Sequence, residues 1–202
     1  MTPPRSKITA WYALDGGVTG DDAIGLLDGH RDRGTARHDA SMDRSDEHQI
    51  RALIGAYAER LDAGDLDGVA ALFEHGVFRS ARGGEPLVGR DAVRRQYDQV
   101  ILYPGDGYPG DGYPGDRHAT PRTKHVLGNI EVVIDPPDPT ATATARCTFT
   151  VLQAVSPGEL GAVLSGRYHD RFEFVDGSWR FVERVVHPDL LGDLSRHMGR
   201  PA

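Results

Sequence analysis

The chain reads as an α+β protein, with helices laid on one face of a curved antiparallel sheet. Three observations predict this. Apolar residues recur at helical spacing in three early segments; four later segments are rich in β-branched and aromatic residues; and a strong hairpin signal, Asp176-Gly177, joins the last two.

The elements follow in order. In SDEHQIRALIGAYAERLDAGD, residues Ile50, Leu53, Ile54, Tyr57 and Leu61 form one stripe of a helix, with Ser45 or Asp46 expected as its cap and Gly64 as its left-handed stop. Asp65 is placed to cap a second, short helix that turns Leu66, Val69, Leu72 and Phe73 inward. VFRSA and PLVG read as short strands around the Gly83-Gly84 turn. GRDAVRRQYDQVIL reads as a third helix, capped by Asp91, with Val93, Tyr97, Val100 and Ile101 apolar. The four long strand candidates are KHVLGNIEVVID, ATATARCTFTVLQAV, GAVLSGRYHDRFEFV and SWRFVERVVH.

Between the third helix and the first long strand lies YPGDGYPGDGYPGD, within residues 103–117. Each unit has proline at a turn position and glycine for positive φ, too short and polar to build a layer of a repeat protein. It reads as a tandem expansion in a surface loop; a lid of Tyr103, Tyr108 and Tyr113 is the alternative. Residues 1–44 mix Gly, Asp and Arg with few apolar letters and read as a poorly structured extension, dispensable up to Met42. The expected domain is 45–192, followed by a tail at 193–202.

Of 202 residues, 39% are hydrophobic, and the net charge of −7 without a basic stripe argues against a nucleic-acid partner. No apolar run reaches the roughly 18 residues of a membrane helix. The single cysteine, Cys147, excludes an internal disulfide and fits a reducing cytoplasm. The nine histidines include no pair at helical i, i+4 spacing, and there is no cysteine cluster, phosphate loop or dinucleotide fingerprint. No metal and no cofactor are expected.

The segments YAERLDAGDLDGVAALF, GRDAVRRQY, RTKHVLGNIEV and GRYHDRFEFVDGSWRFVER occur in the order found in the SnoaL-like branch of the nuclear transport factor 2-like superfamily, which residues 46–190 resemble. The resemblance implies a cone: a strongly bent sheet wrapped against three helices around a pocket. Family members include dehydratases, a dehydrochlorinase, polyketide cyclases and the small subunits of ring-hydroxylating dioxygenases, so the fold does not settle the function.

The resemblance also implies a catalytic pair, Asp62 in RLDAGD and His125 in RTKH, within hydrogen-bonding reach. Imidazole is a workable base near neutral pH, and a carboxylate on its other nitrogen fixes the tautomer. Asn129, four residues beyond His125 on the strand, is expected on the same face. Tyr57 and Tyr168 are candidate substrate-binding groups. Arg184 is read either as a pocket cation or as a surface ion-pair partner of Glu183 or Asp170. Trp179 is read as core. The related dehydratase has a second catalytic histidine on the next strand, where this chain has RCTFTV. The leading expectation is a cofactor-independent lyase or isomerase for a small, largely apolar, polyketide-like molecule, acting as a homodimer. A non-catalytic binding module and a structural partner of an oxygenase are the alternatives.

Overall fold

The computed structural model describes residues 36–100, 121–135, 141–156, 159–194 and 197. The Tyr-Pro-Gly-Asp-Gly repeat and residues 1–35 lie outside the described residues. Among the described residues three helices, α1 (Ala36–Ala63), α2 (Leu66–Ala71) and α3 (Gly89–Val100), accompany six strands: β1 (Val77–Ser80), β2 (Leu87–Val88), β3 (Thr123–Ile134), β4 (Thr142–Ser156), β5 (Glu159–Val175) and β6 (Ser178–Leu191). The architecture is α+β, as the patterning predicts.

The strands form one sheet in the order β2-β1-β6-β5-β4-β3. All neighbours are antiparallel except β1 and β6, which run parallel. Asp176 and Gly177 both have positive φ, 52° and 82°, as a type I′ hairpin turn requires. Gly64, at φ 74°, ends α1, its N–H bonded to the Leu61 carbonyl at 3.0 Å. One residue on, the Asp65 carboxylate accepts from the Gly68 N–H at 2.9 Å and caps α2.

Two helix starts differ from expectation. The first helix begins at Ala36, so Ser45 and Asp46 lie inside it, and Asp46 accepts a hydrogen bond from the Trp179 indole instead, at 3.0 Å. The third begins at Gly89, which puts Asp91 in its first turn, where a carboxylate favours the helix dipole without capping.

The apolar stripe of α1 is buried as its spacing demands: Ile50, Ile54, Tyr57 and Leu61 join Phe73, Phe149, Phe172 and Phe181 in one core. Burial of each such side chain contributes about 1.5–3 kcal/mol. Trp179 belongs to the same core and packs on Phe174.

Among the irregularities in the sheet's pairing, two bulges move residues singled out by the sequence. Gly128 pairs with Thr148 but Glu131 with Arg146, so β3 carries one more residue than β4 over that span. Arg171 pairs with Glu183 but Phe172 with Phe181, which leaves Val182 as an extra residue in β6. Each bulge exchanges the inward and outward sets of side chains in the strand that carries it.

Candidate active site

The end of α1 and the start of β3 are held together by one carboxylate. Asp62 sits in the last turn of α1, one residue past the buried Leu61, on the side that faces the sheet. On β3, Thr123 and His125 are two residues apart and share a face. Their groups converge on Asp62: the Thr123 hydroxyl donates to Oδ1 at 2.9 Å, and the His125 backbone N–H donates to Oδ2 at 2.9 Å. The His125 ring completes the set, with Nδ1 2.6 Å from Oδ1.

Burial by itself would raise the Asp62 pKa, but the hydrogen bonds and charge of His125, with the bond from Thr123, outweigh it and hold the carboxyl below its usual value. An ionised carboxylate only accepts. Nδ1 must therefore carry the proton of the 2.6 Å contact, and in the neutral ring that leaves Nε2 with the lone pair.

His125 lines a cavity of about 50 Å³. Its wall crosses the sheet in register: His125 pairs with Val151, Val151 with Leu164, and Tyr168 with Val186. Phe149 and Tyr168 stack at 4.2 Å with their planes 7° apart. From the helices come Leu61, Tyr57 and Tyr97, the last two with their hydroxyls 2.5 Å apart. Burial raises the Tyr57 pKa, against the pull of Arg184 and the hydrogen bond of Tyr97, so the phenol is a proton-bearing wall group at neutral pH.

Tyr57 and Tyr168 thus stand at the cavity with His125; two other expected contacts do not. Asn129 is exposed, with φ 50°, in the bulge of β3, and its amide reaches Thr148 at 3.4 Å. The extra residue there breaks the regular face that would have aligned it with His125. Arg184 is wholly buried behind the cavity wall and makes paired bonds of 2.7 and 2.6 Å to Asp170. Its guanidinium lies 4.2 Å from the ring centres of both Tyr57 and Tyr168. Burial penalises the charge, but Asp170 more than compensates and Arg184's pKa stays above its usual value. The ion pair with Asp170 is therefore internal, and Arg184 supports the two tyrosines from behind.

Among the wall residues that the sequence reading did not single out are Thr123 and, in the stretch taken for a tail, His197. No local pattern marks it, because its place depends on the chain doubling back after β6. On β4, Cys147 is buried, and burial pushes its thiol up to about 11, so it supplies no base. Among the described residues no group of three or more His, Cys, Asp or Glu is arranged to hold a metal ion, and no helix is long and apolar enough to cross a membrane.

Solved structures share this architecture. An NTF2-like protein with a cystatin-like fold from Novosphingobium aromaticivorans is 25% identical, with a TM-score of 0.57 over 77% of this chain and 90% of that one. A candidate scytalone dehydratase from the same organism is 24% identical, with a TM-score of 0.54 over 76% and 91%. The beta subunit of a candidate aromatic-ring-hydroxylating dioxygenase, also from that organism, is 17% identical, with a TM-score of 0.52 over 75% and 94%. At identities below 25% the likeness concerns the fold. No curated protein matches the sequence. The SnoaL-like domain matches residues 42–185, which takes in α1 from Met42 on, the Asp62–His125 pair and the buried Arg184; the chain belongs to the SnoaL-like domain family.

Proposed function

We propose that this protein is a cofactor-independent lyase or isomerase that removes a carbon-bound proton beside a carbonyl in a small apolar ring compound. The observation that carries this reading is the 2.6 Å contact between His125 Nδ1 and Asp62, on the wall of a cavity built mainly from aliphatic and aromatic side chains. In such a wall, Nε2 of His125 is the basic atom. It takes the proton; the C–H electron pair becomes the new C=C bond, and the carbonyl π pair moves onto oxygen. Asp62 keeps the ring oriented and stabilises the imidazolium that forms. Return of the proton at another carbon moves a double bond, loss of a neighbouring hydroxide eliminates water, and attack on a second carbonyl closes a ring.

The cavity volume bears on the substrate. At about 50 Å³ it is smaller than the ~150 Å³ that accommodates benzene, so a ring enters only as the wall or entrance gives way. This favours a single small ring over a large polycycle.

The test uses the first step alone. Cyclohex-3-enone becomes cyclohex-2-enone by proton removal at C2 and return at C4, and the conjugated product absorbs in the ultraviolet. The wild-type protein is expected to accelerate this isomerisation, and His125→Ala to lower the rate about 10²–10⁴-fold. A wild-type rate no greater than that of His125→Ala overturns the reading.

A further inference from the structure

His197 reaches the cavity by a specific route. Past β6 the Gly192 N–H donates to the Val163 carbonyl at 2.9 Å. A Cβ at Gly192 would lie 2.6 Å from the Ala162 carbonyl oxygen, so only glycine allows this close approach to β5. Leu194 then packs against the core, and its carbonyl accepts from the His197 N–H at 3.0 Å; the His197 imidazole stands in the wall that Pro121, Thr123 and His125 also line. Its Nδ1 is shut off from solvent and has no hydrogen-bond partner among the described residues. A buried polar atom left so costs free energy that a bound partner would recover, which makes it a candidate for a functional contact.

We propose that His197 holds the oxygen of the bound molecule, its imidazole donating an N–H to the carbonyl oxygen on which negative charge gathers as His125 takes the proton. Two imidazoles on one cavity then divide the work. His125, tied to a carboxylate, is the base. His197, whose Nδ1 has no hydrogen-bond partner among the described residues, is the donor. Burial first, and the nearby His125 second, push the His197 pKa down to about 4, so at neutral pH it is an uncharged ring with one N–H to give and no tendency to protonate before substrate arrives. A donor already in place and withdrawn from water is what stabilises a developing oxyanion. The assignment takes its catalytic meaning from the proton-abstraction reading, while the contact itself is open to a separate test.

Phenol is a planar analogue of the dienolate formed from cyclohexenone, with its oxygen in the corresponding place; benzene lacks that oxygen. Binding of both to the full chain can be followed by NMR titration in wild type, His197→Phe and His197→Gln. His197→Phe is expected to weaken phenol about tenfold, the worth of one good hydrogen bond, and to leave benzene within about twofold. His197→Gln, which keeps an N–H donor, is expected to recover most of the loss. Melting curves confirm that each variant is folded. Equal losses for phenol and benzene, no loss of phenol, or no binding of phenol to wild type each overturn the assignment. A protein that discriminates phenol through His197 yet fails to isomerise cyclohex-3-enone refutes the proposed reaction alone. One that isomerises with His197→Phe unaffected refutes the role of His197 alone.

Discussion

Asp62 accepts from a hydroxyl, a backbone N–H and a ring nitrogen, so its charge is worth stability as well as chemistry. Its pKa lies below the ordinary 3.8, hence the native state binds the proton more weakly than the unfolded chain does. The stabilisation is present above the unfolded value and is lost as pH falls through the lower, folded one. Asp62→Asn should therefore cost about 1–3 kcal/mol at pH 7 in urea unfolding. The gap to wild type should narrow below pH 3.8; a gap of constant size at pH 7 and pH 3 would rule the linkage out. At this scale the sequence was informative where a residue's role is set locally. The helix end and the strand locate Asp62 and His125, and the resemblance of RLDAGD and RTKH to the family's motifs singles them out as a pair. His197 was not legible, since it reaches the cavity through contacts made by residues 162–163, far away along the chain.

Among the elements, β5 shows how closely the cavity wall depends on backbone spacing. Gly166 lies opposite Phe149 and Pro188, at an irregularity in its pairing with β6. A Cβ there would fall 2.2 Å from the His187 carbonyl oxygen and 3.0 Å from the Phe149 ring. Backbone cannot step aside as a flexible side chain can. Gly166→Ala is expected to lower stability by about 1–3 kcal/mol, read from denaturant unfolding, and to disturb the Phe149–Tyr168 stack. Unchanged stability would mean that β5 and β6 separate freely at this point. The long strands and the stops at Gly64 and Asp176-Gly177 were legible because turn chemistry and period-two patterning are local. The opening turns of α1 were not: ARHDASMDR carries no apolar period, and its helical state is continuous with the packed stretch that follows.

For the molecule as a whole, the central fact is an ion pair inside the core. Arg184 and Asp170 link β5 and β6, and the guanidinium lies against Tyr57 of α1. Removing one partner leaves a buried charge uncompensated, so Arg184→Met should cost about 3–5 kcal/mol in chemical unfolding. The double variant Arg184→Met/Asp170→Leu should recover much of that, because two apolar side chains leave no charge behind. A double variant as unstable as the single one would show that the pair's geometry, beyond its charge balance, holds the layers together. The fold class was legible from the order of elements; the burial of Arg184 was not. Counting alternately from the buried Trp179 and Phe181 places Arg184 outside, and the extra Val182 reverses the count.

The bulges at Asn129 and Val182 behave like frameshifts in a code of period two. Upstream of each, one parity of residue number spells the interior; downstream, the other does. In β3 the first frame spells Thr123 and His125 inward, and the second spells Val132 and Ile134, which pack on the core. A lineage that deletes the extra residue itself loses the frameshift and keeps the reading: the ladder becomes regular, with Glu131 still opposite Arg146 and Arg184 still opposite Asp170. A single deletion in the regular part of either strand has no such escape and turns the residues on one side of it to the opposite face. Insertions and deletions within β3 and β6 among relatives should therefore gather at these two positions, which makes gap placement, more than residue identity, the mark by which this sheet could be followed through divergent sequences.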